Sequence, residues 1–130
     1  MRMRKKNMES EVAPTKHDVG EPMMPVPPVA PTKHDAGKPR VDLFPPQAIL
    51  AISKVLGYGA EKYSDHNWQN NGGMKYSRLY AAAQRHMLAF WDGEQADGET
   101  GMSHLAHAAC CIVFLLSYEI DGNGIDDRRD

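Results

Sequence analysis

A proline-rich duplication at the start of the chain restricts where a folded domain can form. The segment from Val12 to Pro22 recurs almost unchanged from Val29 to Pro39, with a period of 17 residues. Proline fixes φ and removes backbone donors, and large apolar side chains are scarce here, so neither copy can build a packed element. We interpret residues 1–36 as an extended or disordered arm rather than a two-repeat solenoid. The folded domain is expected over 37–120, with a polar tail over 121–130.

The composition excludes several classes of protein. A formal net charge of −2 over 130 residues excludes nucleic-acid binding driven by overall basic charge, and the basic run 2–6 is interpreted as a solvated tail. Cys110 and Cys111 are adjacent, so they cannot close a loop as a disulfide, and they indicate a reducing compartment. The apolar run 105–116 is too short to cross a bilayer, and the N-terminus lacks the apolar segment of a secretory signal. We expect a cytoplasmic protein that does not associate with a membrane.

Hydrophobic spacing predicts a first helix over about 46–62. Pro45 and Pro46 suit its beginning, and apolar residues recur on one face at a period of 3.6 residues. Gly57 and Gly59 weaken this helix, because interior glycine costs about 1 kcal/mol relative to alanine. The two glycines therefore indicate either a close helix crossing or an early end near Tyr58.

Two further helices are predicted in the second half of the chain. After a loop over 63–76, Ser77 is expected to cap a helix over 78–91. The last helix, capped by Thr100 or Ser103, should run to about Ile120, and it is apolar nearly all round between 105 and 116. Such a helix needs burial on every side, and three helices make a small core. We predict an all-α bundle that is completed by homo-oligomerisation to a dimer or tetramer, with a frayed polar tail.

The second half also concentrates groups that bind metals or move protons. His104 and His107 are three residues apart and share a helix face, and three carboxylates precede them within one acidic turn. The mixture of imidazole and carboxylate suits Mg²⁺, Mn²⁺ or a similar divalent ion. For His86 alone, a satisfied core histidine is the more common explanation. His17 and His34 in the repeat, each beside an aspartate, receive little weight as ligands.

A second cluster has the groups that a nucleotide pocket needs. Lysine and arginine recognise phosphate, asparagine pairs with the edge of a base, and tryptophan offers a stacking surface. Lys62, Asn67 and Trp68 bring these types close together in the sequence. The alternative is that Lys62 is a solvated cation at a helix end and that Trp68 fills the core.

Several short motifs together resemble the phage-encoded dATP/dGTP diphosphohydrolase domain family, which is related to the MazG-like all-α nucleoside triphosphate pyrophosphohydrolases. They are Gly37-Lys-Pro-Arg-Val-Asp-Leu-Phe-Pro-Pro46, Gly59-Ala-Glu-Lys-Tyr63 with Asn67-Trp68, Arg85-His86, and Gly93-Glu-x-x-Asp-x-Glu-x-Gly-x-x-His-Leu-Ala-His107. The resemblance implies an all-α oligomer that uses a divalent metal to hydrolyse a purine deoxynucleoside triphosphate at the α–β linkage. Relatives often carry Glu-x-x-Glu and Glu-x-x-Asp motifs. Here Glu94-x-x-Asp97 fits the second loosely, and no Glu-x-x-Glu occurs.

Hydrolysis of a phosphoanhydride requires charge stabilisation on the phosphate oxygens and a water nucleophile, and the candidate residues divide accordingly. The predicted metal ligands are Glu94, Asp97, His104 and His107. Glu99 is predicted as a further ligand or the base that orients water, and His86 as a proton-transfer group or a partner of a ligand. The predicted substrate-binding residues are Lys62 and Arg85 for phosphate, Asn67 and Trp68 for the base, and Lys38 and Arg40 as a phosphate clamp.

Two rival interpretations remain open at this point. One is a non-catalytic helical oligomer whose proline-rich arm binds another protein, which explains the duplication better. The other is a metal phosphohydrolase of the His/Asp helical type. Its adjacent His-Asp pair occurs here only in the repeats, and this counts against it.

Overall fold

The computed structural model describes residues 24–129, which belong to two separate units that meet between Lys38 and Pro39 in the sequence. In the first unit, residues 24–35 are exposed and have no regular secondary structure. A turn follows, in which the Lys38 N–H donates to the Asp35 carbonyl at 3.1 Å. The first copy of the repeat, with His17, and the basic run 2–6 lie outside the described residues.

The second unit is all-α, which confirms the predicted fold class. Its helices are α1 (Pro46–Lys62), α2 (Tyr76–Trp91) and α3 (His104–Asp121). Short 3-10 helices occur at Val41–Leu43 and Asn67–Gly72. Within residues 24–129 the only β-type pairings are two isolated bridges.

Helix α1 has the bounds that its periodicity predicts, and Pro45 and Pro46 occupy its N-cap and first position. The expected consequences of its glycines are both wrong. The helix continues past Tyr58 to Lys62, and a Cβ built on Gly57 or Gly59 would meet no heavy atom within 4 Å. These glycines therefore do not mark a close helix crossing.

Helix α3 packs against both other helices and contributes most of the buried residues. Val55 of α1 forms one cluster with Ala106 and Cys110 of α3, surrounded by Ile52, Leu56, Met102 and Phe114. Ser103 caps α3, because its hydroxyl accepts from the Leu105 N–H at 3.1 Å, while Thr100 takes another role described below. The helix ends at Gly122, whose φ of +71° suits glycine.

The outer face of α3 is not covered within this single chain. Its exposed apolar residues are Leu105, Ile112, Leu116 and Ile120. By length and composition alone, with 18 residues and a mean hydropathy of 1.2, α3 could cross a membrane. The core helix of a soluble bundle meets the same criteria, and α3 packs against two other helices here.

The tail expected to be frayed is instead folded back along the beginning of α2. The Tyr76 N–H donates to the Ile125 carbonyl at 2.9 Å, and the Ile125 N–H donates to Met74 at 3.0 Å. Asp127 accepts from both the N–H (2.9 Å) and the hydroxyl (2.5 Å) of Ser77. The predicted role of Ser77 as the cap of α2 is therefore wrong. The helix begins at Tyr76, and a carboxylate from the tail satisfies its first turn.

Candidate functional site

A cleft of about 880 Å³ opens between the C-terminal half of α1, the following loop and the facing sides of α2 and α3. Its lining includes a polar group, His86, Asp97, Glu99, Thr100 and His107, here called the polar end, and an apolar group around the stacked Trp68 and Phe114, with Met74, here called the aromatic end. His107 and Phe114 are seven residues apart on α3, which is about 10 Å along the helix axis. The cleft therefore offers two chemically different walls about that far apart.

Asp97 organises the turn between α2 and α3. Its Oδ2 accepts from the N–H groups of Glu99 (3.1 Å) and Thr100 (3.0 Å) and from the Thr100 hydroxyl (3.2 Å). Burial raises the pKa of this carboxyl, but the hydrogen bonds from Thr100 and Glu99 outweigh it and hold the pKa below its ordinary value. Asp97 is therefore a fixed negative charge at neutral pH.

Three imidazoles lie beside this carboxylate. The rings of His86 and His107 stack with centroids 4.6 Å apart, and the Nδ1 atoms of His86 and His104 are 2.9 Å apart. His107 Nε2 lies 2.7 Å from the Thr100 hydroxyl, which connects it to Asp97. Burial, and then the neighbouring His107, lowers the pKa of His86. His86 is therefore neutral at pH 7, and a neutral imidazole has a lone pair available for a proton or a cation.

The polar end has a donor set that fits a divalent cation. One donor atom each from His86, Asp97 and His104 lies within 4.8 Å of the others. His104 is only 4% exposed, and its Nε2 has no hydrogen-bond partner among the described residues. The nearest acidic oxygen to this nitrogen is Oε2 of Glu94, at 3.5 Å, too far for a good hydrogen bond.

Glu99 is held by two residues one turn apart on α1. Its Oε2 accepts from Lys62 Nζ at 2.9 Å and from the Tyr58 hydroxyl at 3.1 Å. These two bonds, that of Lys62 first, lower the pKa of Glu99, and the same contact with Glu99 raises the pKa of Tyr58. Glu99 is therefore ionised, and it joins the acidic turn to the end of α1.

The aromatic end rests on a buried tyrosine. The Trp68 ring stacks on Phe114 with centroids 4.3 Å apart and planes at 17°. Tyr118, fully buried, accepts from the Met74 N–H at 3.1 Å and donates to the Trp68 carbonyl. The loop that carries Trp68 is thereby anchored to α3.

The structure brings most of the predicted site residues together, but not all of them. Lys62, Asn67 and Trp68 line the cleft with the polar end, and His104 and Glu94 lie directly behind it. Arg85 is exposed and does not line the cleft. Arg40 does not line it either, and its guanidinium group is paired with the Asp42 carboxylate at 2.7 Å. Lys38 belongs to the N-terminal unit, so its role as a clamp stays a prediction.

Three residues of the cleft were missed by the sequence reasoning. Arg78 lines it from the beginning of α2, Tyr58 holds Glu99, and Thr100 links Asp97 to His107. The spacing of Tyr58 and Lys62, one helical turn, is a signal that could have paired them. Nothing local in the sequence indicates the contact of Thr100 with His107.

Comparison with known proteins gives two matches. The profile of the family described as "dATP/dGTP diphosphohydrolase, N-terminal" matches residues 29–128. A protein named dATP/dGTP diphosphohydrolase from Salmonella phage PMBT28 is 37% identical over 89 residues, which cover 68% of this chain and 30% of that protein. The chain thus matches less than a third of the length of this relative. No solved structure matches.

Proposed function

The chain belongs to the family of dATP/dGTP diphosphohydrolase N-terminal domains, and we propose that its cleft binds and hydrolyses a purine deoxynucleoside triphosphate. Cleavage falls between the α and β phosphates and releases a monophosphate and pyrophosphate. The observation that carries the proposal is the two-ended cleft of about 880 Å³. A nucleotide also has two chemically different ends, because its charged phosphates and its flat base lie at opposite ends of one molecule.

The phosphates occupy the polar end in this proposal. Lys62, whose ammonium group contacts Glu99 at this end, supplies positive charge for the phosphate oxygens. Arg78 also lines the cleft, but it lies eight residues before His86 on α2, which is about 12 Å along the helix axis. Lys62 is paired with Glu99 in the ligand-free chain, so a triphosphate competes with that carboxylate for the ammonium group.

A divalent cation, Mg²⁺ or Mn²⁺, when bound at this end, supplies neutralisation of charge on the non-bridging oxygens. The sequence predicts Glu94, Asp97, His104 and His107 as the residues that hold it. Of these four, the geometry supports Asp97, which is ionised, and His104, which lies close to Asp97 and His86.

Glu99 is the residue proposed to orient the attacking water. Its carboxylate is ionised and accessible in the cleft, and the Tyr58 hydroxyl, 3.1 Å away, holds it independently of Lys62. A carboxylate held in this way accepts a hydrogen bond from water and directs the oxygen lone pair towards phosphorus.

The base lies against Trp68 and Asn67 at the aromatic end. Phe114 and Tyr118 pack on Trp68 from within the bundle, which fixes the ring as a flat wall of the cleft. Asn67 offers both a donor and an acceptor for a base edge.

The exposed apolar face of α3 supports a homo-oligomer, a dimer or tetramer, as the active form. The compartment proposed for it is the host cytoplasm. The same face, together with the exposed proline-rich residues 24–35, is what a non-catalytic interaction protein would also present. Catalysis therefore has to be measured directly on this chain.

The test uses the purified full chain, stripped of metal, with and without Mg²⁺ or Mn²⁺. Ribo- and deoxynucleoside triphosphates are supplied separately, and mono-, di- and triphosphate products are separated by chromatography. We expect metal-dependent conversion of dATP or dGTP directly to the monophosphate. Production of diphosphate would contradict the cleavage position, and no turnover with any nucleotide would favour the interaction protein.

A variant pair links turnover to the cleft. Glu99→Gln should reduce kcat at least about tenfold, or 1.4 kcal/mol in activation free energy, with unchanged circular dichroism. Glu61→Gln, on the same α1 end but outside the cleft, is the matched control and should keep full activity. Equal rates for the two variants would remove Glu99 from the site.

A further inference from the structure

We propose that His86, Asp97 and His104 form a binding site for a first-row transition-metal cation such as Co²⁺ or Zn²⁺, in preference to Mg²⁺. The site shares the polar end of the cleft, and the use of the ion there rests on the proposed function. Binding itself can be measured without any nucleotide, so the two proposals can fail separately.

The three donors come from three different parts of the backbone that are fixed relative to one another. His86 lies in α2, Asp97 in the connecting turn, and His104 at the first residue of α3. The turn is tied to α3 because the Asp97 N–H donates to the Met102 carbonyl at 2.8 Å, and the His104 N–H donates to Gln95 at 3.2 Å. Such a framework presents donors without first having to order a loop.

The distances suit a shared ion. Two neighbouring ligands on a cation with bonds of about 2.1 Å are about 3.0–3.4 Å apart, and opposite ligands are about 4.2 Å apart. The Nδ1 atoms of His86 and His104 share a hydrogen bond of 2.9 Å, whose proton a bound cation would replace, and one donor atom from each of the three residues lies within 4.8 Å of the others. Small rotations of the side chains bring all three donors within bonding distance of one ion.

The surroundings of His104 support its Nδ1 as the donor atom. When Nδ1 binds an ion, the proton of the neutral ring is on Nε2, which is buried and unpartnered in the structure. The carboxylate of Glu94, 3.5 Å away, is the group that would accept that proton's hydrogen bond after a small approach. A carboxylate that orients a ligating histidine through its second nitrogen is a common feature of metal sites. Glu94 then positions a ligand and is not itself one.

His107 is engaged elsewhere in this arrangement. Its Nε2 is within hydrogen-bonding distance of Thr100, and its ring stacks on His86. It therefore holds His86 in place from the side. His86 in turn acts as a ligand rather than as the proton-transfer group that the sequence suggested.

The donor types decide which ion is preferred. Mg²⁺ requires oxygen ligands in near-octahedral geometry, whereas imidazole suits the later first-row ions. Two of the three donors are imidazoles, and the third is a single carboxylate. We expect Co²⁺ and Zn²⁺ to bind at least about 100-fold more tightly than Mg²⁺.

The experiment titrates the metal-stripped full chain with Co²⁺, Zn²⁺ and Mg²⁺ by calorimetry and records the visible absorption of bound Co²⁺. His86→Gln and Asp97→Asn should each weaken Co²⁺ binding at least tenfold and change its spectrum. His34→Ala, which removes an exposed imidazole of the N-terminal unit, is the control and should bind Co²⁺ like the wild type. Circular dichroism verifies that each variant is folded.

The outcomes separate the two proposals. Mg²⁺ affinity equal to that of Co²⁺, or unchanged Co²⁺ binding in folded His86→Gln, would overturn the metal site. A chain that binds Co²⁺ through these residues but hydrolyses no nucleotide supports the metal site and overturns the proposed function. Hydrolysis by a chain that binds no transition metal supports the proposed function and overturns the metal site.

Discussion

Replacing Tyr118 with phenylalanine removes one oxygen atom from the most buried side chain of the described bundle. That oxygen accepts from the Met74 N–H at 3.1 Å and donates to the Trp68 carbonyl. Phenylalanine keeps the ring and its packing on Trp68 and Tyr76. The substitution therefore isolates the two hydrogen bonds that anchor the wall of the cleft to α3.

The expected loss of stability arises because the Met74 N–H and the Trp68 carbonyl lose their hydrogen-bond partner. A buried polar group that loses its partner costs about 1–3 kcal/mol. Trp68 and Met74 are half-buried, so water partly compensates and the lower part of that range applies to each group. We expect a loss of about 2–3 kcal/mol in the free energy of unfolding. For a folded unit of this size, this lowers the melting temperature by about 10–20 °C.

The assay is chemical and thermal unfolding followed by circular dichroism, with Tyr80→Phe as the control. Tyr80 lies on α2 and is 60% exposed, so loss of its hydroxyl should change stability by less than about 0.5 kcal/mol. If Tyr118→Phe is no less stable than Tyr80→Phe, the hydroxyl of Tyr118 does not anchor the loop and the reasoning is refuted.

Three other predictions address the cleft, the outer face of α3 and the thiols. Lys62→Met removes a phosphate contact and leaves Glu99 without its ammonium partner. It should raise KM for a triphosphate about tenfold in initial-rate assays, with an unchanged melting temperature. A KM equal to that of the wild type would exclude Lys62 from substrate binding. Leu116→Glu, at a side chain 52% exposed in the single chain, should convert the proposed oligomer to monomer in sedimentation experiments, and a wild type that is itself monomeric would refute the assembly. Burial raises the pKa of Cys110 to about 12, so in a Cys111→Ser background the thiol should react with Ellman's reagent only in denaturant, and rapid reaction of the native protein would show that it is not enclosed.

The sequence predicts those features that depend on local interactions. The bounds of α1 follow from its apolar spacing and its leading prolines, and Ser103 caps α3 as a serine at that position should. The beginning of α2 could not be predicted in the same way. Ser77 is a good local cap, but Asp127, 50 residues later, binds its backbone N–H instead. A local rule has no information about that partner.

The candidate site shows the same division between local and long-range information. Helical spacing predicts that His104 and His107 lie on one face of α3, but the approach of His86 to both depends on how α2 packs on α3. Arg85 is predicted as a phosphate ligand because arginine recognises phosphate and Arg85-His86 is one of the family motifs. Consecutive residues on a helix point about 100° apart, so Arg85 is exposed while His86 lines the cleft. Arg78 lines the cleft in its place.

The docking of the tail on α2 makes the order of synthesis matter for this protein. A ribosome finishes α2 at Trp91, but Asp127 follows 36 residues later, which takes about 2–7 s at ordinary elongation rates. Throughout that interval the N–H groups of Tyr76 and Ser77 lack their acceptors, Ile125 and Asp127. A chain that stops before residue 124 lacks Ile125 and Asp127, so the backbone N–H groups of Tyr76 and Ser77 stay without these partners. The beginning of α2 therefore depends on residues 124–127, which are synthesised only after the helix itself.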